Sequence, residues 1–146
     1  MSPNGNGALF ESINTNYIVK NHITRADYVQ VIGVDNVLNK LLDPLQVGFT
    51  AVKGLEASLK CCEKRSPDEK VGVVCKKNDK YDIVEYSELS QEEANKLDED
   101  GNLYFNLGSI LIFMLSSKKL LKLCKDTASL NKLYHKAFKK IEFWNG

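Results

Sequence analysis

The sequence predicts an α/β fold, a three-layer domain with a mixed sheet and an inserted β-hairpin. Three observations predict it. Segments with helical apolar spacing alternate along the chain with short β-branched runs. One such run, Tyr28 to Val34 (YVQVIGV), ends on Asp35-Asn36, and strand ends of this kind are where α/β sheets collect ligands. Two further runs, 71–75 and 81–86, flank Asn78-Asp79, a hairpin turn signal.

A length of 146 residues is one domain or a piece of one. Hydrophobic residues at 43% and a net charge of +1 exclude an intrinsically disordered chain. The balance of 20 basic against 19 acidic residues excludes a protein built for bulk polyanion binding. The longest apolar run, Ile110 to Leu115, falls far short of the roughly 20 residues a membrane helix needs. Met1-Ser2-Pro3-Asn4-Gly5 has neither the basic nor the apolar region of a secretory signal. Cys61, Cys62, Cys75 and Cys124 form no C-x-x-C pair and read as reduced thiols of a cytoplasmic protein. His22 and His135 are isolated, so zinc-ligand spacing is missing.

In chain order, a glycine loop at Pro3-Asn4-Gly5-Asn6-Gly7 opens onto a helix marked by Leu9, Phe10, Ile13, Tyr17 and Ile18. Backbone N–H groups at such a place favour an anion or a polar ligand. After the Tyr28–Val34 strand, Asp43-Pro44 supplies an N-cap and a first-turn proline for a helix that stops at Gly54. Residues 55–64 alternate apolar and polar in the manner of a strand, and a charged loop surrounds Pro67. The hairpin follows. Ser90 with Glu93 is a capping box for a short helix ending near Asp98, before the Asp100-Gly101 turn. Leu103 to Leu115 should hold a core strand and the start of a helix, which continues through Leu120 to Cys124. Leu130, Leu133, Tyr134, Phe138 and Ile141 mark a last amphipathic helix.

Residues 82–100 carry eight acids against Lys96, and 116–146 carry eight lysines against two acids. Such a basic segment is either a nucleic-acid or membrane patch or a set of solvated helix faces. Without interleaved exposed aromatics for base stacking, solvated faces are the better reading, and neither nucleic acid nor membrane is an expected partner.

Several segments taken together resemble eukaryotic UDP-N-acetylglucosamine (UDP-N-acetylhexosamine) pyrophosphorylase. Pro3-Asn4-Gly5-Asn6-Gly7-Ala8-Leu9-Phe10 is similar to that family's P-D-G-N-G-G-L-Y loop, and Val34-Asp35-Asn36 to its V-D-N strand end. Asp43-Pro44 with Gly48-Phe49 resembles D-P-x-x-x-G-F. Val71-Gly72-Val73-Val74-Cys75 and Val84-Glu85-Tyr86-Ser87-Glu88 match V-G-V-V-C and V-E-Y-S-E. Asp100-Gly101 with Phe105-Asn106-Leu107-Gly108-Ser109-Ile110 is similar to D-G-x-x-x-F-N-A-G-N-I. Six segments in the family's order make the resemblance specific. UDP-glucose pyrophosphorylases, with G-H-G-D where this chain has Gly5-Asn6-Gly7-Ala8 and without V-E-Y-S-E, fit less well.

The resemblance implies a partial Rossmann-like nucleotidyltransferase (GT-A-like) fold. Its reaction converts UTP and GlcNAc-1-phosphate to UDP-GlcNAc and pyrophosphate. It also implies that residues 1–146 are the central segment of the catalytic domain. The family's L-x-G-G-x-G-T-R-L-G nucleotide loop and its later C-terminal part, with the lysine near the sugar phosphate, are not within them. The segment is then expected to be inactive alone and to pair as a homodimer through exposed sheet edges. A stand-alone sugar-nucleotide-binding or interaction module is the alternative.

Carried over by the same resemblance, Gly5 lies under the uracil, where only bare backbone fits. Asn6 offers donor and acceptor to sugar hydroxyls or the N-acetyl group. Gly72 lets backbone approach the sugar, Glu85 accepts hydrogen bonds from two ring hydroxyls, and Tyr86 packs nearby. Asn106 meets the N-acetyl amide or an adjacent hydroxyl, with Leu107 and Ser109 beside it where the family has Ala and Asn. Asp35, near the α-phosphate, is the Mg²⁺ ligand. No residue within the segment is assigned a catalytic role. Read without the resemblance, the glycines could be plain turns, Asp35 a helix N-cap, Glu85 a solvated hairpin residue and Asn106 a satisfied core amide.

Overall fold

A computed structural model describes residues 5–126 together with 128 and 130. Of the expected last helix, all of 131–141 lies outside the described residues. The chain divides into two compact units: Met1–Asp27 with Ser117–Gly146, and Tyr28–Ser116.

The first unit is helical. The spacing of Leu9, Phe10, Ile13, Tyr17 and Ile18 gives two helices rather than one, α1 (Ala8–Thr15) and α2 (Tyr17–Ile23). Asn16 is the reason. Its extended backbone interrupts the helix, its N–H caps α1 by donating to the Ser12 carbonyl, and its side-chain oxygen accepts from Val19 N at 3.1 Å to start α2. Helix α5 (Ser117–Lys125) packs against both, and Ile13, Ile23, Leu120 and Cys124 form the buried apolar centre.

The second unit is a sheet with one longer helix. Its strands are β1 (Tyr28–Ile32), β2 (Ala57–Glu63), β3 (Val73–Lys77), β4 (Lys80–Val84) and β5 (Leu107–Ser116). The expected α/β character and the hairpin are present: β3 and β4 pair from Val73↔Val84 to Lys77↔Lys80 around Asn78-Asp79. Both turn residues have positive φ, the signature of the two-residue turn that matches strand twist. The pairing itself differs from the expected mixed sheet, because every pairing among the described strands is antiparallel. β1 and β2 run in the same direction, joined by a helical crossover, but β5 lies between them and takes both as antiparallel neighbours. The apolar stretch 103–115 is accordingly not half strand and half helix. Three partners draw Leu107–Ser116 into one strand, and the helix starts only at Ser117.

β2 occupies one edge of β5 over Leu107–Leu115, so β1 and β3 share the other edge. Between them the register slips. Lys60 pairs Ile112 while Cys61 pairs Ser109, and Leu111 takes φ +56°, a conformation side chains other than glycine seldom adopt. The bulge separates the half of β5 held by β1 from the start of the strand, which β3 holds.

Helix α3 (Pro44–Val52) lies on β2 and β5. It begins as expected, with the Asp43 carboxylate accepting from Leu45 N and proline at the first turn. It ends with Gly54 N donating to Ala51 O and Leu55 N to Thr50 O, both bonds of a Schellman stop at a glycine with φ +61°. Its faces are inverted. Gln46 and Thr50 are buried, while Leu45, Phe49 and Val52 are 79%, 56% and 86% exposed. Beneath it, Thr50 Oγ1 bonds Ser58 Oγ at 2.6 Å and Lys60 bonds Asp43. Val34, Val37, Leu38, Leu41 and Leu42 prolong the exposed apolar strip ahead of the helix. Helix α4 (Gln91–Ala94) carries the expected capping box, with Glu93 N donating to Ser90 Oγ and Ser90 N donating to Glu93 Oε2. It stops at Asn95, sooner than expected.

Candidate functional site

The sheet brings two of the residues singled out from the sequence, Gly72 and Glu85, together at one end, and leaves Asn106 apart from them. Gly72 immediately precedes β3, Glu85 immediately follows β4, and Asn106 immediately precedes β5. The register explains the convergence. Val73 pairs with Val84 on one side and Gly108 on the other, so Gly72 stands between Glu85 and Ser109, whereas Asn106 falls on the far side of the Val73–Gly108 pair, level with Cys75 and away from both. Gly72 O accepts from Ser109 N at 2.8 Å. A Cβ placed on Gly72 would lie 3.6 Å from Glu85 Oε1, 3.5 Å from Val84 O and 3.0 Å from Ile83 Cγ2. The Glu85 carboxylate therefore leans across bare glycine backbone. Glu85 N donates to Glu88 Oε2 and Glu88 N returns to Glu85 O, a small turn that fixes the carboxylate's stem.

Asn106 is half-buried, and its carbonyl accepts from Lys64 N at 2.8 Å. Its amide group makes no hydrogen bond to another described residue, so a donor and an acceptor stand available at the mouth of the strand. Tyr86, beside Glu85, is 40% exposed. Leu107 is exposed, and Ser109 is tied through its N–H to Gly72.

Asp35 sits past the end of β1, which is also the end where β5 begins, since Gly33 N donates to Leu111 O. It is exposed in a turn knitted by Asn36 and Asn39: Leu38 N donates to Asn36 Oδ1, and Asn39 Nδ2 donates to Gly33 O. The N-cap position belongs to Asp43, so Asp35 does not cap the helix that follows. Among the described residues no group of three or more His, Cys, Asp and Glu side chains could cage a metal ion. One exposed carboxylate is nevertheless what Mg²⁺ takes from a protein when phosphate and water complete its shell, so the donor at Asp35 fits that ion.

Gly5 and Asn6 belong to the helical unit. Gly5 has φ +72°, and nothing lies within 4 Å of where a side chain would point, leaving its backbone face open. The Asn6 side chain is exposed. The first-turn N–H groups are not free for an anion, as the glycine loop leads one to expect. Ala8, Leu9 and Phe10 donate to the carbonyls of Gly5, Asn6 and Gly7. What the loop presents is the Asn6 amide and bare glycine.

Two glycines passed over in the sequence belong to this geometry. A Cβ on Gly33 would come within 2.9 Å of Asp35 Oδ1, and one on Gly108 within 2.9 Å of Val71 Cγ2. Gly108, lodged in the most apolar stretch of the chain, was the visible signal, since glycine inside a strand marks close approach. Burial pushes the Cys61 and Cys124 thiols up, away from the reactive thiolate, with neighbouring Cys62 adding to the shift at Cys61.

The family model for UTP–glucose-1-phosphate uridylyltransferase matches residues 1–142. A UDP-N-acetylhexosamine pyrophosphorylase-like protein 1 from Xenopus tropicalis is 38% identical over 144 residues, 98% of this chain and 28% of the relative. The UDP-N-acetylglucosamine pyrophosphorylase of Saccharomyces cerevisiae is 38% identical over 143 residues, 96% of this chain and 29% of the relative. A solved uridine diphosphate N-acetylglucosamine pyrophosphorylase from Trypanosoma brucei, in complex with inhibitor, superposes with a TM-score of 0.78 at 28% identity. It covers 88% of this chain and 26% of that one. The chain thus spans less than a third of the length of the curated relatives it matches.

Proposed function

Because the chain belongs to the UTP–glucose-1-phosphate uridylyltransferase family, we propose that it forms the sugar- and uridine-facing part of a uridylyltransferase site. The substrates proposed are UTP and GlcNAc-1-phosphate. A phosphate oxygen of GlcNAc-1-phosphate attacks the α-phosphorus of UTP, the bond to the bridging oxygen breaks, and pyrophosphate leaves. Transfer of this kind depends on holding the reactants in line and offsetting charge, more than on covalent help from the protein.

The observation that supports this reading is the meeting of Gly72 and Glu85 at one sheet end. Glu85 accepts hydrogen bonds from two ring hydroxyls, and a carboxylate with two free oxygens suits that bidentate task. Gly72 keeps the floor low enough for the ring to lie over it. On the family resemblance alone, Asn106 would answer the N-acetyl amide with complementary donor and acceptor, and Tyr86 borders the ring. In the helical unit, Gly5 offers its open face to the uracil and Asn6 its amide to the sugar. Asp35 would hold Mg²⁺, which when bound supplies positive charge to the α-phosphate oxygens.

These residues include no cationic clamp for the β- and γ-phosphates, so the 146-residue chain is proposed to bind sugar nucleotide without turning it over. Its free thiols suit a reducing compartment, which supports a cytoplasmic location. No helix among the described residues is long and apolar enough to cross a membrane. A homodimer is the proposed assembly, supported by the exposed apolar strip along 34–52. A coupled assay of pyrophosphate release with UTP, GlcNAc-1-phosphate and Mg²⁺ tests the division of labour. The reading expects no turnover by this chain alone, and robust turnover overturns it.

A further inference from the structure

Between β2 and β3 the chain makes a charged loop, 64–72, with no strand partner for its amides. One side chain organises it. Glu69 Oε1 accepts from Arg65 N at 2.6 Å and from Ser66 N at 3.0 Å, while Glu69 N turns back to Ser66 O. Asp68 N donates to Ser66 Oγ, and Val71 N to Glu69 O. Lys64, only 5% exposed, folds its amine onto Pro67 O. Two neighbouring N–H groups that point at one carboxylate oxygen favour its charged form, and they hold Glu69 below the usual carboxylate range.

The two ends of this loop are fastened to the first residues of β5. At one end Lys64 N donates to Asn106 O at 2.8 Å, and at the other Gly72 O accepts from Ser109 N at 2.8 Å. Val71 closes against the bare face of Gly108. The loop is therefore a brace, and its second attachment holds Gly72, the floor of the proposed sugar site.

We propose that Glu69 is a positioning residue: its carboxylate fastens the 64–72 brace, and the brace sets the position of Gly72 beneath the Glu85 that leans over it. Glu69 itself touches no substrate in this scheme. The proposal rests on the reading that Gly72 and Glu85 face the amino sugar. Aspartate at this position would reach one methylene less far, and glutamine keeps an oxygen that can accept both N–H groups.

The test compares Glu69→Ala, Glu69→Asp and Glu69→Gln with the unaltered chain. It measures the ratio of UDP-GlcNAc to UDP affinity and the hydrogen exchange of the Lys64 and Ser109 amides. Losing hydrogen bonds to a charged acceptor should lower the ratio about tenfold in Glu69→Ala. Glu69→Asp should lower it by less, and Glu69→Gln should restore it. Exchange at Lys64 and Ser109 should quicken in the same order. General loss of stability would weaken both ligands alike, and an unchanged ratio, or an equal fall for both ligands, overturns the proposal. If the unaltered chain makes no distinction between UDP-GlcNAc and UDP, the proposed function fails. Exchange then decides the brace by itself: faster in Glu69→Ala supports it, unchanged refutes it.

Discussion

The Glu85 carboxylate overhangs Gly72, with Oε1 3.6 Å from the point where a Gly72 side chain would begin. One group is a flexible acceptor and the other an absence of side chain, and together they leave a polar-walled, low-floored space at the sheet end. Glu85→Gln should weaken UDP-GlcNAc binding about 10–100-fold, the usual range for a charged acceptor shared by hydroxyls. Gly72→Ala should weaken it about tenfold, because the new methyl must displace Ile83 Cγ2 from 3.0 Å. Isothermal titration reads both, and unaltered affinity in both variants would remove this pair from the site.

Asp35 is expected to bring Mg²⁺ to the bound nucleotide. Asp35→Asn should leave the fold intact, since the residue is exposed and caps no helix. It should abolish the strengthening of UTP binding by Mg²⁺. Titrations with and without the ion check this, and equal strengthening in both proteins counts against Asp35 as a ligand.

Acid stability should depend on Asp43. The Lys60 ammonium holds its carboxyl down from 3.8 to about 2, against the opposing effect of burial and with help from Leu45 N–H and Lys40. The folded form thus releases this proton more readily than the unfolded chain does. The Asp43 contribution is complete above about pH 4 and is lost as pH falls through about 2. Asp43→Asn keeps an N-cap acceptor but removes the charge. Melting temperatures from pH 2 to 5 should rise with pH more steeply for the unaltered chain than for Asp43→Asn, and parallel curves would contradict this.

The inverted faces of α3 carry the assembly prediction. Leu45, Phe49 and Val52 form a solvent-facing stripe at helical spacing, continuous with Leu41 and Leu42. Phe49→Ser combined with Val52→Ser should shift a concentration-dependent dimer to monomer in sedimentation velocity, with little change in monomer stability. A clean monomer before substitution, at high concentration, would refute the pairing.

Much of this was legible in the residues themselves. Asp43-Pro44 with Gly54, Asn78-Asp79, and Ser90 with Glu93 each name a local structure through side-chain or backbone chemistry that needs no distant partner, and each formed. What depended on distant partners was not legible. The chain gives no local sign that β5 would lie between β1 and β2, so a mixed sheet was expected where pairing is antiparallel. Asn16 reads as a polar residue in a helical run until its two caps are seen. Glu85 and Gly72 were singled out through the family resemblance, whereas Gly108 and the separation of Asn106 from that pair become visible only in the register that joins Val73 to Gly108.

The central claim is that Gly72 and Glu85 act together as a seat for an amino sugar. Amide and side-chain NMR shifts followed through a UDP-GlcNAc titration test it most directly. The account predicts that signals from both residues move along a single saturation curve, and that UDP alone moves them far less. Signals that stay still at saturating ligand, or that move equally with UDP, would contradict it.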